Sequence, residues 1–248
     1  MIPAHVSLLP DLLEASDLCG RTVVVIDILR ASTTMVHAFA SGATQIVPCL
    51  TVEQALEVAK TFPPHERLLG GERGGVQIDG FDLGNSPFSY TPEVVGAKTI
   101  IFTTTNGTYA LQKCHSADEV LIGSFVNLSA VVAKLVSTAR PFHLLCAGTN
   151  RQITAEDILF AGAVLQRVLD TPASQFEIAG VQAQLALDFF NSRGTVTDLF
   201  EKTMLESLGG QNLISLGQQQ DIQRAMQVDL FDLVLCWDAT TNRITCKD

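Results

Sequence analysis

The chain has 248 residues, 47% of them hydrophobic, which is enough to form the core of one large α/β domain. Its net charge of −10, from 26 acidic and 16 basic residues, argues against nucleic-acid binding, which relies on clustered Lys and Arg. Because no apolar run approaches the roughly 20 residues of a membrane span and residues 1–9 lack the features of a signal peptide, we expect a cytoplasmic protein without a membrane partner.

Three times along the chain, an apolar strand is followed by a polar loop and a helix. The strands are predicted at residues 22–27, 99–102 and 142–146. Runs of apolar, β-branched residues without alternation are typical of central parallel strands that are covered on both faces. The pattern therefore predicts an α/β fold with a largely parallel sheet, whose polar loops meet at the carboxyl edge of the strands.

The first two of these units continue alike, since each is followed by a second strand and a second helix. Residues 20–62 and 97–138 therefore look like two βαβα halves that could be related subdomains. We interpret residues 1–248 as one domain that contains both halves.

Beyond Pro172 the chain is mostly amphipathic, and we predict a helical C-terminal part over residues 172–230. The helices are expected at residues 175–191, 196–207 and 218–227, and strands are expected at residues 233–237 and 243–246. The long apolar helices are compatible with a homodimer, and no chemistry is predicted for the first of them.

The first polar loop combines a carboxylate with a cation and hydroxyl groups. Asp27 ends the first strand and precedes Arg30, Ser32, Thr33 and Thr34. A carboxylate in this place can ligate a hard cation such as Mg²⁺. Hydroxyl and N–H groups at the start of a helix suit an anion, and Arg30 could bind phosphate or sulfonate oxygens bidentately. Alternatively, Asp27 is a structural acid and the hydroxyls are helix caps.

Residues 69–87 are too rich in glycine to predict regular structure, yet they carry Glu72, Arg73, Asp79 and Asp82. Long structured loops of this kind often carry function. The alternative is a flexible connector, but the charges and the absence of Gly/Ser repeats argue against it.

The second polar loop, residues 103–108, has the sequence Thr-Thr-Thr-Asn-Gly-Thr. The hydroxyls of Thr104 and Thr105, the amide of Asn106 and the backbone at Gly107 suit phosphate or carboxylate recognition at a strand-to-helix turn. The Asn-Gly pair could also simply form a tight turn. The loop lacks the Gly-Lys-Ser/Thr of a Walker A motif, so ATP is not implied.

Glu156 and Asp157 begin the helix of the third unit. Acidic residues in a first turn interact favourably with the helix dipole, and they could equally ligate a metal at the same edge of the sheet. Covalent phosphatase schemes fail on spacing, because Asp27 is not part of an Asp-x-Asp motif and Cys146 is not part of a Cys-x5-Arg motif.

These stretches resemble the 2-phosphosulfolactate phosphatase (ComB-like) family, and the matching motifs come in the family's order. They are Val-Ile-Asp-Ile-Leu-Arg-Ala-Ser-Thr-Thr (25–34), Gly-Gly-Glu-Arg-Gly-Gly (70–75), Gly-Phe-Asp-Leu-Gly-Asn-Ser-Pro (80–87), Thr-Thr-Thr-Asn-Gly-Thr (103–108), Cys-Ala-Gly (146–148) and Ala-Glu-Asp-Ile-Leu-Phe-Ala-Gly (155–162).

The resemblance implies the family's three-layer α/β/α fold and a Mg²⁺-dependent phosphatase that hydrolyses 2-phospho-3-sulfolactate to 3-sulfolactate and phosphate, a step of coenzyme M biosynthesis. This substrate is a small anionic phosphate ester that also carries a sulfonate and a carboxylate. The alternatives are a phosphatase of another small phosphorylated hydroxy acid and a non-catalytic anion-binding protein.

The positions of these motifs lead to a predicted set of site residues. Catalytic roles are predicted for Asp27, Arg30, Glu72 and Arg73. Mg²⁺ ligands are predicted among Asp27, Glu72, Asp82, Glu156 and Asp157. Substrate binding is predicted for Ser32, Thr33, Thr34, Asn85, Ser86, Thr104, Thr105, Asn106 and Gly107.

Overall fold

The computed structural model describes residues 1–172 and 174–247 of the chain. Its strands are β1 (Ile2–Ser7), β2 (Thr22–Ile26), β3 (Gln45–Pro48), β4 (Arg67–Arg73), β5 (Val76–Gln77), β6 (Thr99–Thr103), β7 (Glu119–Gly123), β8 (Phe142–Cys146), β9 (Phe176–Ile178), β10 (Val234–Asp238) and β11 (Arg243–Lys247).

The helices alternate with the strands through most of the chain and then follow one another in its last third. They are α1 (Ala31–Ala40), α2 (Val52–Ala59), α3 (Pro92–Val95), α4 (Gly107–Gln112), α5 (Leu128–Thr138), α6 (Ala155–Asp170), α7 (Val181–Arg193), α8 (Thr197–Glu206), α9 (Leu208–Ser215) and α10 (Gln219–Ala225). Over the residues described, none of these helices has the length and apolar character needed to cross a lipid bilayer.

All the strands belong to one sheet, in the order β5-β4-β6-β3-β11-β10-β7-β2-β8-β1-β9. A first parallel block consists of β4, β6 and β3, and a second parallel block consists of β7, β2, β8, β1 and β9. The antiparallel hairpin β10–β11 joins the two blocks and pairs antiparallel with each of them. The predicted α/β fold with a largely parallel sheet is confirmed.

The two stretches predicted as halves have the same order of elements, and the strands of one stretch pair with the strands of the other. Residues 20–62 contain β2-α1-β3-α2, and residues 97–138 contain β6-α4-β7-α5. Strand β2 pairs with β7, whereas β3 pairs with β6, so α1 and α4 each connect one parallel block to the other. A relationship between the two halves stays a prediction.

Strand β2 is apolar from Val23 to Ile26 because both of its faces are covered by helices. Val24 and Ile26 face a hydrophobic cluster formed with α5, α6 and α7, whereas Val23 and Val25 face a second cluster formed with α1 and α4. Side chains alternate between the two faces of a strand, so a strand covered on both faces needs an unbroken apolar run. A smaller cluster packs α2 against β4 and β6.

The prediction of irregular structure for residues 69–87 is wrong at its start, because β4 runs to Arg73 and pairs with β6. The backbones approach closely at Gly71, where a Cβ atom would overlap the carbonyl oxygen of Thr103. At Gly70 a Cβ atom would overlap the hydroxyl of Tyr90 and would lie 3.3 Å from the ring of Phe102. The glycines here permit close contact between strands, which a composition argument interprets as irregular structure.

The predicted helix over residues 175–191 is also wrong at its start. Residues 176–178 form β9, which extends the sheet beside β1, and α7 begins only at Val181. Phe176 is buried against Phe142, and Gly180 has a φ of 88° that interrupts the chain before the helix. The sequence analysis did not predict β1, the strand to which β9 pairs.

Candidate active site

The carboxyl ends of β2, β4 and β6 meet at one pocket. Asp27 follows β2, Glu72 lies near the end of β4, and Thr105 and Asn106 follow β6, and all four residues line the pocket. The backbone N–H of Thr105 donates a hydrogen bond to Glu72 Oε1 at 2.8 Å. Strands of both parallel blocks therefore end at the same pocket, although three successive antiparallel pairings separate the blocks and make them run in opposite directions.

Gly107, the first residue of α4, packs directly against Asp27. A Cβ atom at position 107 would lie 2.8 Å from Asp27 Oδ2 and 2.9 Å from the Cβ of Ala31. The backbone N–H of Ala31, at the start of α1, donates to Asp27 Oδ1 at 3.2 Å. Glycine at 107 thus lets the two strand-to-helix turns contact each other, and this places Asp27 between them.

Asp27 and Glu72 are buried carboxylates on the same pocket, each with an exposed fraction of 6%. Burial, with the Glu72 carboxylate nearby, raises the pKa of Asp27 to about 7. Glu72 is held by backbone N–H groups, because its Oε2 accepts a hydrogen bond from Gly75 at 2.6 Å in addition to the bond from Thr105. Two such neighbours repel each other unless a proton or a cation lies between them.

Asn85 contributes an amide oxygen to the same pocket. The residue is buried, and its Oδ1 atom accepts no hydrogen bond from any residue in the described part of the chain. Buried polar atoms normally have a partner, so an unpartnered oxygen on a residue that lines the pocket is a candidate to bind a ligand donor or a cation. The backbone carbonyl of Asn85 accepts the hydroxyl of Thr34 at 2.9 Å, which fixes the position of the loop.

Arg30 brings a buried positive charge to the pocket. Its Nη1 donates to Gln218 Oε1 and to Asp221 Oδ2, each at 2.6 Å, and its Nη2 donates to the carbonyl oxygen of Gly75 at 2.8 Å. A guanidinium group has five N–H bonds. Three are used by these contacts, so two remain for a ligand as far as the described residues show.

Two of the three partners of Arg30, Gln218 and Asp221, come from the start of α10, and these contacts were not predicted from the sequence. Asp221 is buried and accepts a second hydrogen bond, from Ser86 Oγ at 2.8 Å. Gly209, Asn212 and Leu213 of α9 complete the wall of the pocket. One available signal was an acidic residue beside Ile222, on the buried side of an amphipathic helix.

The three hydroxyls predicted to bind substrate on α1 form hydrogen bonds within the protein, and none of these residues lines the pocket, so their substrate-binding role stays a prediction. Ser32 Oγ accepts the backbone N–H of Asp27 at 2.9 Å, and Thr33 Oγ1 donates to the carbonyl oxygen of Ile28 at 2.8 Å. Thr34 contacts the carbonyl of Asn85, as described above. These contacts hold the loop after β2 in shape, so the hydroxyls position Asp27 and Arg30.

Glu156 and Asp157 are buried and are not among the residues that line the pocket, and their metal-binding role stays a prediction. Asp157 accepts the backbone N–H groups of Ile28 and Gly148, each at 2.9 Å, and so joins the loops after β2 and β8. Glu156 accepts the hydroxyl of Thr154. Burial raises the pKa of both carboxyls, and for Asp157 the charges of Glu156 and Asp27 raise it further.

Arg73 and Asp82 also lie outside the lining of this pocket. Arg73 donates to Thr103 Oγ1 at 2.8 Å, and Asp82 accepts the backbone N–H of Leu69 at 2.8 Å. Ser86 contacts Asp221 and not the pocket, and Thr104 lines a neighbouring pocket. The functional roles predicted for these residues stay predictions.

The donor set of the pocket fits a magnesium ion that shares its coordination with a ligand. Among residues 1–172 and 174–247, no group of three or more His, Cys, Asp or Glu side chains could hold a metal by itself. The pocket combines Asp27, Glu72 and the unpartnered oxygen of Asn85. Mg²⁺ is usually held by one or two carboxylates together with waters and phosphate oxygens, which is the number of carboxylates found here.

Comparison with known proteins finds one family model that covers most of the chain and several relatives that share one name. Residues 7–240 match the profile of a family described as 2-phosphosulpholactate phosphatase. A protein of Caldanaerobacter subterraneus subsp. tengcongensis, named probable 2-phosphosulfolactate phosphatase, is 39% identical over 218 residues, which is 88% of each chain. A protein of the same name from Symbiobacterium thermophilum is 41% identical over 84% of this chain and 87% of its own. Another from Thermotoga maritima is 41% identical over 86% of this chain and 88% of its own.

Proposed function

Because the chain belongs to the 2-phosphosulfolactate phosphatase family and is therefore a hydrolase of phosphoric monoesters, we propose that it hydrolyses 2-phospho-3-sulfolactate to 3-sulfolactate and phosphate. The observation that carries this proposal is the buried Arg30 guanidinium on one pocket with the carboxylates of Asp27 and Glu72. A cation that retains two N–H donors suits the oxygens of a phosphate group.

The remaining N–H groups of Arg30 would bind phosphoryl oxygens and hold the ester in line for displacement. Asp27 would act in its ionised form, either by accepting a proton from the attacking water or by accepting the phosphoryl group itself. The pKa of about 7 keeps a substantial fraction of Asp27 ionised near neutral pH.

We propose Mg²⁺ as the cofactor, held by Asp27, Glu72 and the side-chain oxygen of Asn85. When bound, it would supply positive charge that stabilises the transferring phosphoryl group. The excess of buried carboxylates on the pocket supports this proposal, since a site that only bound anions would be weakened by them. A cytoplasmic location, a homodimer and a role in coenzyme M biosynthesis stay predictions.

The test is phosphate release from 2-phosphosulfolactate and from a panel of other phosphorylated hydroxy acids, measured with Mg²⁺ and with EDTA. We expect release that depends on Mg²⁺ and is fastest with 2-phosphosulfolactate. Faster release from another panel member would keep the reaction and replace the substrate. Release that EDTA does not reduce would contradict the cofactor, and no release from any member would contradict the reaction.

A further inference from the structure

A second pocket adjoins the first on the side of β6. The two pockets share Thr105, Asn106 and Asn150 as lining residues. The backbone N–H of Asn150 donates to Asn106 Oδ1 at 3.0 Å, so this shared wall is held in place by a hydrogen bond. A ligand that extends past Asn106 would therefore contact both pockets.

The second pocket contains a buried hydroxyl without a partner. Thr104 lines the pocket and is only 3% exposed, and its Oγ1 atom makes no hydrogen bond with any residue that the structure describes. Its backbone carbonyl is used, because it accepts the hydroxyl of Thr108 at 2.8 Å. A buried hydroxyl that lacks a protein partner is suited to donate to a ligand oxygen.

Arg151 supplies positive charge at the rim of the same pocket. Its guanidinium lies over the ring of Tyr109, 5.5 Å from the ring centroid, and its side chain is 74% exposed. It lies 3.9 Å from a carboxylate oxygen of Asp11, whose other oxygen accepts the Tyr109 hydroxyl at 2.6 Å. Because a long, exposed ion pair contributes little energy, Arg151 can exchange it for an anionic ligand at small cost.

We propose that this second pocket, with Arg151 and Thr104 as donors, binds the second acidic group of the substrate while the phosphate occupies the first pocket. This proposal rests on the proposed function. In the first pocket the phosphate would occupy the free N–H groups of Arg30 and the proposed Mg²⁺, so a substrate with further anionic groups needs a separate cation for them. Arg151 would thus determine specificity for esters that carry an additional acid.

The test compares steady-state kinetics of wild type and Arg151→Gln on three esters: 2-phosphosulfolactate, 2-phospholactate, which lacks the sulfonate, and glycerol 2-phosphate, which lacks both acids. For 2-phosphosulfolactate we expect the KM of the variant to rise about tenfold, which corresponds to a charge-assisted hydrogen bond, with a much smaller change in kcat. The rise should be far smaller for glycerol 2-phosphate. A rise with 2-phospholactate equal to that with 2-phosphosulfolactate would identify the carboxylate as the bound group, and a smaller rise would identify the sulfonate.

Two further variants separate a binding role from a change in stability or charge. Thr104→Val removes the hydroxyl at nearly constant volume, and it should raise KM for 2-phosphosulfolactate without lowering the melting temperature, because the lost hydroxyl had no partner. Arg193→Gln removes an exposed charge at the end of α7 and should leave KM unchanged. Equal changes in KM for all three esters in Arg151→Gln would overturn the proposal.

Binding of 3-sulfolactate, measured by calorimetry, distinguishes failure of this inference from failure of the proposed function. If wild type releases no phosphate from 2-phosphosulfolactate but binds 3-sulfolactate more tightly than Arg151→Gln does, the anion site stands and the reaction does not. If wild type hydrolyses the ester but both proteins bind 3-sulfolactate equally, the reaction stands and the anion site is refuted.

Discussion

Asp27 and Glu72 are acidic residues at buried positions, where apolar side chains would ordinarily make the folded protein more stable. Each is nearly inaccessible to water, and each faces the same pocket. Hydrogen bonds from backbone N–H groups offset part of the free-energy cost of burying these carboxylates. Ala31 donates to Asp27, and Gly75 and Thr105 donate to Glu72. Burial and, to a smaller extent, the charge of Glu72 raise the pKa of Asp27, and the two neighbouring carboxylates favour a bound cation.

Asp27→Asn tests the role of this carboxylate. The amide oxygen can still accept the N–H of Ala31, so we expect a folded protein, but the variant lacks the negative charge that the reaction requires. The value of kcat for 2-phosphosulfolactate should fall by a factor of about 10²–10³ or more. Phosphate release measures the loss, and circular dichroism checks that the fold is retained.

The matched control is Asp79→Asn, which makes the same chemical change at an exposed position between β5 and β6. It should have wild-type kcat. Substantial turnover by Asp27→Asn, at a rate near that of this control, would remove Asp27 from the mechanism.

Residue types could be predicted more reliably than side-chain directions. The loops after β2 and β6 carry polar groups at the carboxyl ends of their strands, as predicted, and Asp27, Arg30 and Asn106 line the pocket, whereas their functional roles stay predictions. The direction of Ser32 depends on its hydrogen bond to the backbone of Asp27, and that of Thr33 depends on the turn at Ile28. Such contacts depend on backbone conformation that the local sequence does not specify.

At the scale of elements, the C-terminal helices α9 and α10 are part of the site. Asp221 of α10 supplies the carboxylate that pairs with Arg30, and both side chains are almost completely buried. The pair also connects to the loop before α3 through the hydroxyl of Ser86. We therefore interpret Asp221 as a positioning residue, which orients the guanidinium without contacting the substrate.

Asp221→Asn tests this interpretation. Because the change leaves the charge of Arg30 buried without a counter-charge, we expect a loss of about 3–5 kcal/mol in the free energy of unfolding. At a temperature where the variant is fully folded, KM for 2-phosphosulfolactate should still rise about tenfold, since the guanidinium is no longer held by an ionic partner. Denaturant unfolding and steady-state kinetics provide the two measurements.

Asp198→Asn, at an exposed position in the first turn of α8, is the matched control and should change neither quantity by much. A loss of stability in Asp221→Asn with wild-type KM and kcat would show that Asp221 is structural only.

The elements that the sequence predicted are those with strong periodicity or unbroken apolar runs. Strands β2, β6 and β8 were predicted within one residue of the observed bounds, and helices α8 and α10 within two. Strand β4 was not predicted, because Gly70 and Gly71 suggest irregular backbone unless the neighbouring strand is known. The part played by Asp221 could not be predicted, because its contact with Arg30 joins residues 191 positions apart.

The buried carboxylates make the stability of the folded protein depend on pH. Asp27 has a pKa of about 7 in the folded protein against 3.8 for an ordinary aspartate, so its contribution to stability is fully present below the lower value and is lost as pH rises through about 7. The raised pKa values of Glu156 and Asp157 act in the same direction. His37 and His143 have pKa values lowered to about 4, so their opposite contribution is already complete above 6.5.

We therefore expect the melting temperature in EDTA to fall as pH rises from about 6.5 to about 8.5. The fall should be smaller for Asp27→Asn, which cannot ionise at this position. Excess Mg²⁺ should raise the melting temperature of wild type more at the upper pH, since it binds the ionised carboxylates. Differential scanning fluorimetry across this range measures all three effects. If the melting temperature falls equally with pH in wild type and in Asp27→Asn, the raised pKa does not belong to Asp27.

The ion pair between Arg30 and Asp221 has a consequence for the synthesis of the protein. Its two members are 191 positions apart, and a ribosome adding roughly 5–20 residues per second needs about 10–40 s to cover that distance. During this interval the nascent chain carries an arginine whose final burial requires a carboxylate that has not been translated. If Arg30 binds the phosphate as proposed, a prematurely terminated chain that lacks α10 is expected to be inactive even if its sheet has begun to assemble.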